Sequence, residues 1–283
     1  MINKLIKVAL IGKTNAGKST LLNTIVGEEI SIINKKINTT QEFITGIKNL
    51  DNVQIIFFDT PGSNFLKTNS LLQKKLKTNI WQAIDSSDLL IYLIDVLKYN
   101  FKEIEKDILK LSEVSKPILF IFNKIDLIES KKVLFFINEL KNNNNIKEFF
   151  LISAKKNHGI SFFLDYLSSK SFEKDWIYKE NEITDKDDIF ISNECTRNAI
   201  LEYLHQEIPY NVKIINNAYK QLNDNELKIK QSILLYNKRY KPIILGKRGI
   251  NIKRIREKSQ SDIKNILNCK VHLYLQVEVI NEN

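Results

Sequence analysis

The chain has 283 residues, 43% of them hydrophobic and 27% charged, with 43 Lys+Arg against 33 Asp+Glu for a formal charge of +10. At roughly 150 residues per domain this predicts about two domains, each with its own core, and the ordinary apolar and charged fractions exclude a disordered chain. No apolar run nears the roughly 18–20 residues that span a bilayer, the N-terminus is too short in its apolar part for a signal peptide, and Cys195 and Cys269 give neither a disulfide framework nor metal-ligand spacing, so a cytoplasmic protein without a transmembrane segment is expected.

Short apolar runs predict strands over Ile6–Ile11, Phe43–Ile47, Val53–Asp59, Leu89–Ile94, Ile118–Phe122 and Phe149–Ile152. Helical patterns fall over Ser19–Val26, Leu71–Ala83, Lys102–Ser112, Lys131–Lys141 and Ile160–Ser168. Such alternation predicts an α/β domain, a doubly wound, mostly parallel sheet with helices on both faces. The KNLDN connection (Lys48–Asn52) reads as a hairpin, so that edge is expected to be antiparallel. The periodic pattern stops over Lys170–Lys186, which predicts a first domain over 1–170, a linker over 171–188 and a second domain over 189–283. Beyond the linker come a helix over Ile189–Glu207, strands over Val212–Lys220 and Leu227–Tyr236, a helix-glycine-helix region over Lys241–Leu267 and a strand over Val271–Ile280. The order α-β-β-α-α-β is that of a smaller α+β domain.

Charge is concentrated in that second part. Residues 211–270 hold 15 Lys+Arg against four acids (Asp224, Glu226, Glu257 and Asp262), or +11, which leaves −1 for the rest of the chain. A near-neutral body with one basic segment is the footprint of a module that binds a polyanion. A lysine-rich surface with no partner remains the competing reading of charge alone.

Chemistry-bearing motifs cluster in the first part. Gly12, Lys13, Thr14, Asn15, Ala16, Gly17, Lys18 and Ser19 spell G-x-x-x-x-G-K-[ST], after a strand and opening a helix that continues through Thr20. Glycines there let backbone N–H groups turn in around phosphate oxygens, with the helix N-terminus adding its positive dipole end. Lys18 would reach the β- and γ-phosphates and the Ser19 hydroxyl would ligate Mg²⁺. Asp59, Thr60, Pro61 and Gly62, followed by Ser63, close the third strand; the aspartate would hold Mg²⁺ indirectly, from outside its directly bonded ligands, and the Gly62 amide could sense the γ-phosphate.

Asn123, Lys124, Ile125 and Asp126 follow the fifth predicted strand. A carboxylate at Asp126 accepts from both N1–H and the exocyclic amine of guanine, a pattern adenine lacks, which supports discrimination on the order of 10⁴. Ser153, Ala154 and Lys155 fit a loop packed against the base. Four matches in order identify a GTP-binding domain using GTP/GDP and Mg²⁺. Thr39 and Thr40 lie in the Asn34–Gln41 loop, where a threonine completes Mg²⁺ coordination only when the γ-phosphate is present; Thr40 is favoured by position. Catalytic work falls to Lys18, Thr40 and Gly62. Ser63 stands where many GTPases carry a water-orienting glutamine, and His158, His205 and His272 read as surface or packing residues remote from the motifs, so slow intrinsic turnover is expected.

In the second part, Gly246, Lys247, Arg248 and Gly249 form a G-x-x-G turn between helices, with Lys253 and Arg254 in the following turn and Ile252 and Ile255 expected to face inward. Such a turn brings backbone close to phosphates. It is the clamp by which KH domains hold about four single-stranded nucleotides.

A GTPase followed by a KH domain of type II order resembles the Era family, a Ras-like P-loop GTPase architecture, over nearly the whole chain. The matching segments are GKTNAGKS, ISI…NTT (Ile30–Thr40), DTPG, NKID, SAK, EITD (Glu182–Asp185), Glu194 with Arg197, IPY (Ile208–Tyr210) and the GxxG helix. The resemblance implies binding to the 3′ region of 16S rRNA in assembly of the 30S ribosomal subunit, coupled to the nucleotide state, peripheral membrane contact and a monomer. It also implies K⁺ stimulation, with Asn15 holding the ion. Three departures stand out: Gln41 replaces arginine, Ser63 replaces an aliphatic residue, and the chain stops at Asn283 where the family continues with a further helix, which would reduce RNA affinity or membrane attachment. Two alternatives accompany this reading: a non-catalytic, GTP-bound RNA chaperone, and a GTPase acting on tRNA or at a membrane surface.

Overall fold

A computed structural model gives the fold over residues 2–27, 44–62, 71–141, 146–204 and 212–280. Thr39, Thr40, Gln41, Ser63, His205 and the IPY tripeptide lie outside these described residues. Contacts divide the chain into two units that change over between Asp185 and Lys186.

The first unit runs β1 (Lys4–Gly12), α1 (Lys18–Val26), β2 (Ile44–Leu50), β3 (Val53–Asp59), α2 (Leu71–Ser86), β4 (Leu89–Asp95), α3 (Phe101–Leu111), β5 (Ile118–Asn123), α4 (Ser130–Leu140), β6 (Ile146–Ile152), α5 (Ile160–Ser169) and β7 (Phe172–Glu173). Among the described residues its sheet has the order β2-β3-β1-β4-β5-β6, with β7 antiparallel to the first residues of β1. Strands β3, β1, β4, β5 and β6 are parallel and β2 is antiparallel to β3. The expected hairpin is present, with a tighter turn because β2 continues to Leu50 and Asp51 adopts φ 49°.

Every residue of β3, β4 and β5 is buried. Parallel strands covered on both faces must be apolar throughout, which is why they read as runs and not as alternation. Apart from Gln54 near the start of β3, the polar residues of these three strands stand at the C-terminal ends, where Asp59, Asp95 and Asn123, with Gly12 of β1, reach the edge at which open α/β sheets bind ligands.

The stretch 171–188 is not a free linker. As far as Asp185 it belongs to the first unit and is strapped along it. Gln54, a fully buried amide in the apolar strand β3, accepts from the backbone N–H of Ile177 and Tyr178 (3.0 and 3.1 Å) and donates to the Tyr178 carbonyl (3.0 Å). The Trp176 indole donates to Asn52 O, Ile47 N donates to Ile183 O at 2.8 Å, and Thr45 Oγ1 donates to Asp185 Oδ2 at 3.0 Å. A buried polar side chain left unpaired costs about 1–3 kcal/mol, so Gln54 draws the strap onto the sheet.

The second unit has α6 (Asp188–Tyr203), β8 (Val212–Asn223), β9 (Glu226–Leu235), α7 (Tyr240–Leu245), α8 (Ile250–Leu267) and β10 (Lys270–Val279). Helix α6 ends at Tyr203, short of the expected Glu207, with Leu204 extended. The sheet order is β10-β9-β8, antiparallel between β8 and β9 and parallel between β9 and β10. Ala199, Ile200, Leu204, Val212, Ile233, Leu235, Ile244 and Ile255 form its core. Glu194 and Arg197 form an ion pair one turn apart on α6.

Candidate nucleotide site and nucleic-acid interface

The loop after β1 is built as a cradle. A Cβ on Gly12 (φ 149°) would lie 2.4 Å from Leu93 O, and one on Gly17 (φ 102°) would lie 2.2 Å from Asn123 Nδ2. Both glycines are required by their backbone angle and by what touches them. Gly17 caps α1 with no side-chain hydrogen bond and no acid follows in the first turn, so neither a capping side chain nor a local carboxylate competes with an anion for the N–H groups of this helix N-terminus.

Lys18 curls over the loop, only 6% exposed, donating to Gly12 O (3.0 Å) and Lys13 O (3.2 Å). Burial pushes its ammonium down to about 8, against a smaller upward pull from the Asp59 carboxylate. A buried cation held that low is one that an incoming phosphate would recharge. Ser19 Oγ donates to Asp59 Oδ2 at 2.6 Å, placing a hydroxyl and a fully buried carboxylate side by side at the mouth of the loop. Hard oxygen donors of this kind suit Mg²⁺. The open helix end, the buried ammonium and the paired oxygens together fit a magnesium–nucleotide.

Gly62 approaches the same loop so closely that a Cβ there would lie 2.4 Å from Thr14 Oγ1 and 2.8 Å from Thr14 N. Thr60 anchors the segment through its hydroxyl to Leu10 O (2.6 Å), and Pro61 is buried beside it. Lys13 pairs with Glu103 of α3, while Asn15 turns back with φ 64° and Thr20 lies half-buried on α1.

The base-side motifs meet through Asn123. Its Nδ2 donates to Ala16 O (2.9 Å), and its Oδ1 accepts from Lys124 N (2.8 Å) and Ala154 N (2.9 Å). One buried amide thereby ties the phosphate loop to both guanine-side loops. Lys124, at φ 68°, donates to Asn15 O (3.0 Å) and to Asp95 Oδ2 (2.6 Å). Asp126 is exposed in a short turn over Ile125–Leu127, open to a base. Ser153 Oγ accepts from Lys156 N, Ala154 is buried, and Lys155 is exposed.

Two residues alter the sequence reading. Asp95 was not among the expected site residues, yet it is 7% exposed at the end of β4 and also accepts from Leu97 N. Its signal was a carboxylate closing an apolar strand, the position that exposed Asp59. His158 is not remote from the motifs: its backbone closes the SAK loop by exchanging hydrogen bonds with Ser153, both 3.1 Å. Its side chain points to solvent.

In the second unit, Gly246 (φ 71°), Arg248 (φ 54°) and Gly249 (φ 76°) give the turn between α7 and α8 a run of left-handed backbone. Lys247, Arg248, Lys253 and Arg254 are exposed, whereas Ile255 is fully buried. Asn251 Nδ2 donates to Ile243 O (2.9 Å) across the turn, and a Cβ on Gly246 would meet Asn251 at 2.7 Å. The turn is held by its base with two cations at its tip. Among the described residues no helix is long and apolar enough to cross a membrane, and no group of three His, Cys, Asp or Glu converges as a metal site.

Residues 7–124 match the family described as "50S ribosome-binding GTPase", and residues 202–283 match the KH domain family. The GTPase Era of Rickettsia canadensis is 38% identical over 279 residues, covering 98% of this chain and 93% of that protein. The GTPase Era of Ehrlichia ruminantium is 35% identical over 271 residues, covering 96% and 91%. A crystal structure of Era in complex with MgGDPNP and nucleotides 1506–1542 of 16S ribosomal RNA superposes with a TM-score of 0.89 at 31% identity, covering 99% of this chain and 95% of that one. A variant of Aquifex aeolicus Era bound to GDP and AlF₄⁻ gives the same TM-score at 30% identity over the same shares.

Proposed function

The chain belongs to the Era family of GTPases, and on that premise we propose that its GTP hydrolysis times binding to, and release from, the 3′ region of 16S rRNA during assembly of the 30S subunit in the cytoplasm. It is a P-loop GTPase with a C-terminal KH domain, and its ligands are GTP, GDP and Mg²⁺. The coincidence of an intact nucleotide cradle and an exposed Gly-Lys-Arg-Gly turn in one chain carries the reading.

Residues 12–20 wrap the phosphates, with Lys18 turning from the Gly12 and Lys13 carbonyls toward the β- and γ-oxygens. Ser19 and Asp59 would hold Mg²⁺, which when bound would supply charge to offset that developing on the transferred phosphoryl group. Thr40 and the Gly62 amide report the γ-phosphate, and Gly62 does so from direct contact with the phosphate loop. Asp126 reads guanine, held by Asn123 and Lys124 beside the Ser153–Lys155 loop. Asn15, at φ 64° in the phosphate loop, would help hold a K⁺ that stimulates turnover. In the KH domain, Gly246 and Gly249 admit the RNA backbone, and Lys247, Arg248, Lys253 and Arg254 supply charge. An allosteric coupling of about 1–3 kcal/mol suffices to change RNA affinity roughly 5–150-fold between nucleotide states.

Crosslinking the GTP-loaded protein to RNA in cells and sequencing what is bound tests this directly. A sharp peak at the 3′ end of 16S rRNA, lost in Lys247→Asp/Arg248→Asp, is the expected result. A peak on tRNA, or diffuse signal, would overturn the ribosomal assignment and leave the GTPase standing.

A further inference from the structure

Helices α6 and α8 cover one face of the second unit's sheet, where Leu227, Ile229, Val271 and Leu273 are buried. Side chains of alternate residues point the other way. Across the three strands, the registers Lys220–Lys228–His272 and Ala218–Lys230–Tyr274 form neighbouring rows on that outer face, and the next row ends on Lys270 opposite Glu226. Lys230 and Lys270 are exposed, Lys220 is exposed on the edge strand, and Lys228 is half-buried. The acids that the strands themselves carry at this end are Asp224 and Glu226, and Asp188 of α6 accepts from the Tyr219 hydroxyl at 3.0 Å. Glu226 is already committed to Lys270 (2.8 Å), His272 (2.6 Å) and Asn223 (2.9 Å).

Tyr274 stands in the middle of these cations, 54% exposed, with the Lys228 ammonium 5.5 Å from its ring centroid. A ring this open can be reached by a base from the solvent side. Lysines two apart on β9 repeat about every 7 Å, comparable to the step between phosphates along an extended strand of nucleic acid. Cations in register around one exposed ring are the elements by which sheet surfaces bind single strands, with phosphates on the lysines and a base on the aromatic face.

We propose that the outer face of this sheet is a second RNA-contact surface, which takes a single-stranded segment with a base stacked on Tyr274 and its phosphates on Lys220, Lys228 and Lys230. It rests on the reading that the chain binds RNA, but it is separate from the GxxG turn, which joins helices on the covered side of the sheet. A membrane surface would use the same charge; the KH-domain match over residues 202–283, which contains this sheet, favours RNA.

The test compares the full-length protein with Tyr274→Ala, Tyr274→Phe and Lys228→Gln/Lys230→Gln on two single-stranded RNAs from the same region. One has about eight nucleotides, enough for the clamp, and the other about thirty. Tyr274→Ala should weaken the long RNA about tenfold or more and Tyr274→Phe should restore it. The double lysine variant should lower the slope of log affinity against log salt by about 1.4. All three should leave the short RNA within about twofold and GTP hydrolysis unchanged. Unchanged long-RNA binding, whether or not the variants lose co-sedimentation with anionic phospholipid vesicles measured alongside, or a Tyr274→Phe variant as weak as Tyr274→Ala, overturns the proposal. If the wild-type protein binds neither RNA, the RNA-binding reading itself falls.

Discussion

Asn123→Ala removes the amide that joins three loops of the nucleotide site. It deletes the bond to Ala16 O at 2.9 Å and those from Lys124 N and Ala154 N at 2.8 and 2.9 Å. At about 1 kcal/mol net each, the three contribute about 3 kcal/mol. The side chain is 2% exposed, so the groups left behind sit largely away from water, and their desolvation carries the cost toward about 5 kcal/mol. Part of this should appear as lost stability of the first domain, read in urea through Trp81 and Trp176, which both lie in it. The remainder should appear as weaker GDP binding, by about tenfold or more, because nucleotide must then order loops that the amide pre-organises. Asn123→Asp should do no better, since it keeps the acceptor but turns an oxygen toward Ala16 O. A stability change under about 0.5 kcal/mol together with a Kd within about twofold of wild type would refute the reasoning.

Lys18 gives a pH signature. Its folded value near 8 lies below the usual 10.5, so the unfolded chain binds more protons between those values. Its burial cost is therefore fully present below about 8 and is relieved as pH rises toward 10.5. Nucleotide phosphates recharge the ammonium, so binding at about pH 8.5 should take up protons; calorimetry in buffers of different ionisation heat checks this, and zero uptake counts against it. Asp95→Asn loosens the 2.6 Å partner of Lys124, and GDP should dissociate several-fold faster, measured by displacement of a fluorescent analogue. Unchanged dissociation would leave Asp95 with no part in holding Lys124. Asp126→Asn should weaken GTP and improve use of xanthosine triphosphate, read by competition; an unchanged preference would sink the guanine assignment.

Much of the nucleotide site was legible in the chain because its chemistry is local. Gly12 to Ser19 must lie between a strand and a helix to cradle phosphate, and the Asp59 and Asn123 motifs each close an apolar run that is buried throughout, while the Ser153 motif closes the partly exposed edge strand β6. The GxxG turn and the +11 segment were likewise written in consecutive residues. Partners brought together by the sheet carried no such signature. Asn123 meets Ala154 and Ala16 across 31 and 107 residues, and Lys124 meets Asp95 across 29.

The strap over 172–185 was misread for the same reason. It has no periodicity of its own and is held by Gln54, whose one visible trace was a polar residue inside VQIIFFD. The row of lysines around Tyr274 spans three strands up to 54 residues apart in sequence, so strand register alone made it a surface. Which elements form and which motifs end them can be read from consecutive residues, since periodicity and turn chemistry act over a few positions. Which of those ends share a proton, a carbonyl or a face follows from folding alone, because pairing across a sheet depends on register and leaves no mark on neighbouring residues.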